Sequence, residues 1–422
     1  MLAADDKKDA ASAERGTALA FDIKRLTGDF LDDPYPTYRA LRAYDPVHRV
    51  PDGSYFLTRY DDCLAVYHDT ATWSSDKTVD FRPNLAASLL YEHHTTSLVF
   101  NDPPYHTRVR RLLAPAFTPR ALHALRTRIE DLVDRLLAAA AERGEIDLIA
   151  DFAAAIPIQL IGDMLGIPPG EREPLHGWSL AILSALEPVL SKNQFDAGVR
   201  AVAEFKDYLD GIIARRLRSE ASDPAEILSK LIAGTDVASG DGNGERLSKL
   251  ELIHNCIFLL NAGHETTTNL IGNAVDLLIR HPDAMVELRA HPDAIETAVE
   301  EFLRMESSNQ LGNRRAVKAT ALGGVALAAG TYVHIGIGAA NRDPAQFPDP
   351  DRLDIRRAPN RHLAFGTGIH ACAGMSLARM EAQVAIGRLV QRFTRIEPAG
   401  AFMRGGRARF RGFQSYPLRL CD

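Results

Sequence analysis

The sequence predicts a mainly α-helical protein with a minor β region. Apolar residues recur at helical spacing through most of residues 105–235. Residues 248–281 continue this pattern for more than thirty positions, and no proline occurs before Pro282. Residues 54–60 and 320–340 instead show short runs that alternate or are rich in aromatic and β-branched side chains, which is typical of strands.

Composition sets the broad class of the protein. Of 422 residues, 46% are hydrophobic and 25% are charged, which is ordinary for a soluble globular chain. A chain of this length can enclose a cofactor-sized cavity in its core. The formal net charge of −6 gives no support for a nucleic-acid partner.

The cysteines and the N-terminal segment indicate the compartment. The four cysteines lie too far apart for a zinc site or a disulfide framework, so a reducing cytoplasm is expected. They are Cys63, Cys256, Cys372 and Cys421. Residues 1–20 mix charges with alanine and resemble no signal peptide, so we expect a disordered tail. No stretch reaches the ~18 apolar residues that suggest a membrane span.

Other elements can be predicted in chain order. Residues 54–60 form a strand, and residues 61–69 return to helical spacing. The glycine-rich residues 237–248 indicate a surface loop. Residues 320–340 form short strands, and residues 375–393 form a helix near the C-terminal end.

The longest predicted helix has clear boundaries. Ser248 is a candidate N-cap, and Glu251 three residues later completes a capping box. His281 and Pro282 end the helix. At 1.5 Å per residue, the helix is about 50 Å long and is expected to cross the whole molecule.

The middle of this helix breaks the rules of helix formation. Gly263 costs up to ~1 kcal/mol relative to alanine. The hydroxyls of Thr266 and Thr267 compete for backbone hydrogen bonds. Such local violations often mark a functional site.

The sequence FGTGIHACAG surrounds Cys372, which has three possible roles. The side chain is a buried structural thiol, a nucleophile for which His370 acts as the general base, or a thiolate that binds a metal. Gly366, Gly368 and Gly374 allow the backbone to approach a flat ligand closely. A helix beginning just after the cysteine is expected to lower the pKa of the thiol. A single thiolate held in this way suits an axial haem ligand better than zinc or an iron–sulfur cluster.

This loop resembles the haem-binding sequence of the cytochrome P-450 family, F-G-x-G-x-H/R-x-C-x-G, at every fixed position. The resemblance implies that Cys372 is the metal ligand of haem b, with Phe365, Gly366 and Gly374 contacting the cofactor. It also implies the cytochrome P-450 fold, with the haem between the long oxygen-binding helix and the helix after the cysteine loop. Residues 21–422 would form a single haem-thiolate monooxygenase domain.

Two further segments resemble the family in the expected order. Glu301 and Arg304 match its E-x-x-R pair, which braces the core; otherwise they form a surface ion pair. The run AGHETT, residues 262–267, resembles the oxygen-activation motif. There Ala262 and Gly263 leave room for dioxygen, Thr266 hydrogen-bonds the bound oxygen, and Glu265 belongs to the proton relay. The alternative for Glu265 is a solvated helix acid.

Several basic side chains resemble the family's ligands for the haem propionates. Residues 101–117 resemble its D-P-P-x-H-x-x-x-R segment; otherwise they carry a surface basic cluster. Arg314 fits the family's spacing better than Arg315. The residues assigned to the propionates are His106, Arg110, Arg314, His362 and His370.

The segment after E-x-x-R departs from the family. Bacterial members often carry a double proline where this chain has Ser307-Ser308-Asn309, so no substrate is transferred by resemblance. The loop of residues 81–99 and the helix of residues 178–186 are further candidates for the substrate site. Single candidates, each equally compatible with ordinary packing, are Phe81, Leu259, Ala262, Asn309, Leu311 and Phe413. No charged anchor is evident, so a mostly apolar small molecule is expected.

The resemblance implies a monooxygenase that activates dioxygen with two electrons from outside and hydroxylates or otherwise oxidises this molecule. A ferredoxin and its reductase are the expected partners, docking on Arg108, Arg111 and Arg379. A monomer that binds neither membrane nor nucleic acid is expected. The alternatives are a peroxide-driven peroxygenase, a non-catalytic haem-binding protein and a non-haem cysteine hydrolase.

Overall fold

Helices dominate the part of the chain that the computed structural model describes, residues 2–85, 87–218, 227–233 and 246–421. The α-helices are α1 Leu2–Leu19, α2 Gly28–Asp32, α3 Tyr35–Tyr44, α4 Tyr60–His68, α5 Thr78–Leu85, α6 Leu89–Thr96, α7 Tyr105–Leu113, α8 Pro119–Arg143, α9 Ala155–Met164, α10 Glu173–Ser184, α11 Lys192–Leu217, α12 Ile227–Ala233, α13 Lys249–Arg280, α14 Pro282–Ala290, α15 Ile295–Met305, α16 Ile337–Ala340 and α17 Met375–Arg392.

The β structure is minor and made of short strands, as the sequence predicts. The strands are β1 Val47–Arg49, β2 Tyr55–Leu57, β3 Trp73–Ser74, β4 Glu145–Asp147, β5 Leu311–Ala316, β6 Thr320–Leu322, β7 Val325–Leu327, β8 Tyr332–Gly336, β9 Arg395–Pro398, β10 Met403–Arg404, β11 Phe413–Ser415 and β12 Pro417–Cys421. The largest sheet has the order β1-β2-β8-β5-β3, and only β2 and β8 run parallel in it. In β5, Arg314 pairs with Val333 of β8.

Helix α13 has the predicted boundaries. The Ser248 hydroxyl accepts a hydrogen bond from the Glu251 N–H, and the Glu251 carboxylate accepts one from the Ser248 N–H, so the capping box is formed. The helix ends at His281, immediately before Pro282. It packs against α9, α10 and α17 and thereby forms the central support of the helical layer.

The N-terminal segment differs from its sequence prediction. Residues 2–19 are helical rather than a disordered tail, because an alanine-rich segment has high helix propensity and packs against α3. Ala18 is completely buried in a cluster with Phe21 and Tyr38. The predicted loop of residues 237–248 lies mostly outside the described residues.

Glu301 and Arg304 form an ion pair with no solvent exposure of either side chain. Two hydrogen bonds join them, Nε to Oε2 at 2.7 Å and Nη2 to Oε1 at 2.8 Å. The alternative of a surface ion pair is therefore wrong. Arg304 also donates to the carbonyl oxygens of Asn341 and Pro350.

The carboxylate of Glu301 holds the same region from its other side. It accepts hydrogen bonds from the Asp354 N–H, from Arg357 Nε and from Asn360 Nδ2. The pair thus joins α15 to the irregular chain between residues 341 and 360, which leads into the cysteine loop.

None of the helices in the described ranges combines the length and apolar character needed to cross a lipid bilayer.

Replacing Arg304 by leucine should strongly destabilise the fold. The substitution leaves Glu301 buried without its cation, which typically costs about 3–5 kcal/mol. Chemical denaturation should show this decrease in the free energy of unfolding. The control is Arg419→Gln, which breaks an exposed pair with Glu145 and should leave the free energy of unfolding nearly unchanged. A loss below about 1 kcal/mol for Arg304→Leu would contradict the bracing role.

Candidate functional site

A cavity of about 340 Å³ lies between the middle of α13 and the loop that precedes α17. Its walls are mostly apolar, and α10, α13 and the chain after α6 contribute to them. Representative apolar lining residues are Leu98, Val99, Ile182, Leu183, Leu186 and Leu259. The cysteine loop and part of the AGHETT run, namely Ala262, Gly263, Thr266 and Thr267, therefore line one shared cavity.

Cys372 lines this cavity, together with Phe365, Gly366 and Gly374. The Cys372 N–H donates to the carbonyl of Phe365 at 2.9 Å, which closes the loop on itself. Gly366 and Gly368 have φ values of 60° and 71°, the left-handed region that favours glycine. The loop conformation thus explains two of the three glycines.

Burial raises the pKa of the Cys372 thiol. A hydrogen bond with the Gly374 backbone and the charges of Arg110 and Arg379 oppose this effect but do not overcome it. The expectation that the following helix would lower the thiol pKa is therefore wrong for the protein chain alone. Coordination to a metal cation deprotonates a thiol outright, so the raised pKa is compatible with a ligand.

Four hydrogen-bond donors converge on one side of the cavity. The rings of His106 and His370 lie 4.1 Å apart, and His106 Nδ1 and His370 Nε2 are buried without a partner among the described residues. Arg110 and Arg314 also line the cavity, and neither forms an ion pair within the described chain. Burial, followed by the charge of Arg314, lowers the pKa of His370 to about 2.

This donor set fits haem b. Two guanidinium groups and two imidazoles without carboxylate partners match the two propionates of the cofactor. Arg314 stacks on the Tyr67 ring at 5.2 Å, and among the described residues it donates only to the neighbouring Asn313 carbonyl. The cysteine thiol and the apolar walls complete a site for a flat, mostly apolar ring.

Two of the predicted basic residues lie elsewhere. Arg315 pairs with Asp80 instead of facing the cavity, which agrees with the preference for Arg314. His362 was expected to bind a propionate, but it lies outside the cavity lining and its Nε2 is 3.2 Å from Glu300 Oε2. The reason is charge: despite burial, hydrogen bonds from Arg379 and His362 lower the Glu300 pKa to about 2, which keeps it anionic.

Ala262, Gly263 and Thr266 line the cavity from α13. The Thr266 hydroxyl donates to the Ala262 carbonyl at 2.8 Å, as expected for a threonine inside a helix. A Cβ atom at residue 263 would lie 2.5 Å from Ile161 Cδ1 of α9. The glycine therefore permits close packing of α9 on α13, a reason that the sequence did not reveal.

Glu265 is buried and does not line the cavity. Its Oε1 accepts hydrogen bonds from Arg407 and, at 3.0 Å, from Asn269 Nδ2. It is therefore not a solvated helix acid. The acid lies on a different face of α13 from Thr266.

The substrate candidates divide into two groups. Leu259, Asn309 and Leu311 line the cavity, whereas Phe81 and Phe413 do not. The ring of Phe81 packs edge-on against Phe100 at 5.2 Å. The ring of Phe413 packs against Tyr416 at 4.8 Å, so both phenylalanines are packing residues.

Several polar residues that line the cavity were not identified from the sequence. His93 and His94 belong to the predicted loop of residues 81–99, where two adjacent histidines were the available signal. Asn261, Glu381 and Arg409 also line the cavity. The positions of Glu381 and Arg409 depend on how α17 and the C-terminal hairpin pack, and local sequence does not specify this.

Comparison with known proteins agrees with this geometry. The sequence profile described as Cytochrome P450 matches residues 176–399. The chain is 40% identical to the vitamin D(3) 25-hydroxylase of Pseudonocardia autotrophica, over 86% of this chain and 87% of that protein. It is 38% identical to the cytochrome P450 monooxygenase PikC of Streptomyces venezuelae, over 88% and 86% of the two chains.

A solved structure shows the same fold. The crystal structure of CalO2 superposes with a TM-score of 0.87 at 32% identity. The match covers 95% of this chain and 98% of that one.

Replacing Glu381 by glutamine should remove a pH-dependent loss of stability. Burial raises the Glu381 pKa to about 8, and its Oε2 has no partner in the described chain. The folded state keeps its proton while the unfolded chain loses it above the ordinary value of 4.5, so native stability falls as pH rises toward 8.

We expect the free energy of unfolding of Glu381→Gln to rise relative to that of the native protein by about 1 kcal/mol for each pH unit between 5 and 8. Denaturation midpoints at pH 5 and pH 8 measure this gain. The exposed Glu397→Gln should show no such trend. A constant difference between Glu381→Gln and the native protein would contradict the assignment.

Proposed function

The chain belongs to the cytochrome P450 family, and we propose that it hydroxylates a mostly apolar small molecule with two electrons from a separate redox protein. The enzyme is a P450 monooxygenase, and its cofactor is haem b. The proposal for the substrate rests on one observation, the apolar lining of the cavity between α13 and the cysteine loop.

The residues that we propose to hold the cofactor all line this cavity. The Cys372 thiolate would ligate the iron, while His106, Arg110, Arg314 and His370 would bind the propionates. Haem b bound through a thiolate supplies the electron-transfer and dioxygen chemistry that cleaves the O–O bond. The rest of the site orients the substrate, controls protons and excludes water.

Thr266 and Glu265 are the residues that we propose for proton handling. The Thr266 hydroxyl lines the cavity and could exchange its bond to the Ala262 carbonyl for one to a polar group inside the cavity. Glu265 is held by Arg407 and Asn269 on another face of α13, so its carboxylate must leave Arg407 before it passes a proton toward Thr266. The Arg407–Glu265 pair would then control the rate of proton entry.

We propose a ferredoxin with its reductase as the electron donor, docking near the cysteine loop, and we expect the enzyme to act as a cytoplasmic monomer. Of the three arginines expected to bind the ferredoxin, Arg108 forms an ion pair with Glu251 at the start of α13, and Arg379 forms one with Glu300. Arg111 is exposed and forms no ion pair within the described chain, so it is the best candidate for an acidic partner. Arg379 also stacks on Phe365 at 4.7 Å, next to the cysteine loop.

A peroxide-driven peroxygenase and a non-catalytic haem protein are less well supported. The acid and the threonine of the oxygen-activation motif are both present, and the relative with 40% identity is named as a hydroxylase. Product formation that depends on NADH and a ferredoxin system, rather than on added peroxide, distinguishes the proposed function from both alternatives.

Replacing Cys372 by serine should abolish the shifted absorption band of the reduced carbon-monoxide complex that marks thiolate ligation. A serine hydroxyl does not replace the electron donation of a thiolate. The absorption spectrum of the reduced protein under carbon monoxide measures this directly. Retention of the native band in Cys372→Ser would falsify the ligand assignment.

Replacing Thr266 by alanine should uncouple electron use from product formation. Without the hydroxyl that positions protons, product per NADH should fall at least about tenfold and peroxide release should rise. NADH, peroxide and product are measured together. Thr268→Ala is the matched control, because Thr268 makes the same type of bond, to the His264 carbonyl at 2.9 Å, on the buried side of α13. Equal coupling in both variants would contradict the role of Thr266.

A further inference from the structure

Arg409 is a cavity-lining cation that stands apart from the four donors assigned to the propionates. It lies in the hairpin between β10 and β11. Its Nε donates to the Leu186 carbonyl at 2.8 Å, and its Nη1 donates to the Leu311 carbonyl at 2.6 Å. A guanidinium has five N–H donors, so three remain uncommitted within the described chain.

No carboxylate of the described residues forms an ion pair with Arg409. Glu187 lies beside the hairpin, where its Oε2 accepts the backbone N–H groups of Ala408 and Arg409 at 2.9 and 3.1 Å. The neighbouring arginines of the hairpin differ in this respect: Arg407 pairs with Glu265 and Arg411 with Glu306. Arg409 is thus a partly buried cation without an ion-pair partner among the described residues.

The position of the guanidinium is fixed by the fold. The Arg409 carbonyl accepts the Gln310 N–H at 2.8 Å, and Asn309 forms a β-bridge with Phe410. Together with the two bonds to Leu186 and Leu311, these contacts hold the side chain against the cavity wall. A cation held in this way is preorganised for a ligand and does not need to be ordered on binding.

Arg409 lies in a polar corner of the cavity. His94 is 1% exposed, and its Nε2 has no partner among the described residues. Burial first, and then the charges of His254 and Arg409, lower the His94 pKa to about 3, so its imidazole is neutral. The Asn309 Oδ1 is also buried without a described partner. Leu186 and Phe410, which also line the cavity beside Arg409, are apolar.

Arg409 is anchored away from the cysteine loop. Its two carbonyl acceptors belong to Leu186, just after α10, and to Leu311, at the start of β5. Its charge acts on His94 and also on Tyr67, the ring on which Arg314 stacks. The donors assigned to the propionates already include two guanidinium groups for two carboxylates, so Arg409 remains available to a substrate.

We propose that the substrate is an apolar molecule with a carboxylate, and that Arg409 binds this carboxylate while His94 contributes a second hydrogen bond. This inference rests on the proposed monooxygenase function and deepens it. A neutral acceptor would satisfy N–H groups but would leave the buried charge uncompensated, whereas a carboxylate satisfies both requirements. The apolar remainder of the molecule would lie toward Leu259 and Ala262.

Binding of matched probes to the haem-loaded enzyme tests the proposal. The probes are dodecanoic, lithocholic and abietic acids, each compared with its own methyl ester. Spectral titration and calorimetry give the affinities of the native protein, of Arg409→Gln and of the control Arg404→Gln. Arg404 lies on the same hairpin but contacts Asp276 and Phe413 outside the cavity.

For at least one pair, the native protein should bind the acid about tenfold to hundredfold more tightly than the ester, the range for a charge-assisted pair. Arg409→Gln should lose this preference and keep its affinity for the ester, while Arg404→Gln should keep the preference. Equal affinities for acid and ester, no binding of any acid at about 1 mM, or a preference that survives in Arg409→Gln would overturn the proposal.

The native protein alone can decide the question if Arg409→Gln does not fold, because an absent acid preference already overturns it. Failure of the carboxylate anchor alone can be distinguished from failure of the proposed monooxygenase function. Ester binding, an intact carbon-monoxide band and product formation without any acid preference would leave the monooxygenase standing and remove only the carboxylate anchor.

Discussion

The buried pair of Glu301 and Arg304 is the interaction on which the site depends. Its hydrogen bonds reach the carbonyls of Asn341 and Pro350 and the amide of Asp354, so two side chains fix a long irregular segment. That segment has no regular secondary structure, and Arg342 adds two hydrogen bonds from it to the Met305 carbonyl at the end of α15. The segment leads into the loop of Cys372, so the proposed haem ligand depends on an ion pair that does not line the cavity.

Burial of charge has different consequences in different parts of the molecule. At Glu301 and Arg304 the two charges compensate each other and create rigidity. At Arg110 and Arg314 the cations have no acidic partner in the described chain, and the propionates of haem b fit that role. At Glu381 a carboxyl without a partner keeps its proton instead, because burial raises its pKa to about 8. Uncompensated cations therefore identify ligand sites, whereas the uncompensated acid is neutral.

Local sequence predicted the features that depend on local geometry. The capping box at Ser248, the end of α13 at His281 and the turn conformations of Gly366 and Gly368 all follow from nearby residues. Long-range packing decided the rest. The need for glycine at residue 263 comes from Ile161 of another helix, and the orientation of His362 comes from Glu300. Phe413 has an apolar side chain that would suit the cavity, but its ring packs against Tyr416 instead.

The departure at Ser307-Ser308-Asn309 meets the hairpin that carries Arg409. The Arg411 N–H donates to the Ser308 carbonyl at 2.8 Å, and the Asn309–Phe410 bridge continues the contact toward the cavity. Where relatives often place prolines, this chain has side chains that add polar atoms to the cavity wall, including the unpartnered Ser308 Oγ and Asn309 Oδ1. Two separate parts of the sequence thus create polarity at the same corner. Because the haem side of the site resembles the family, we infer that this corner contributes to the selection among substrates.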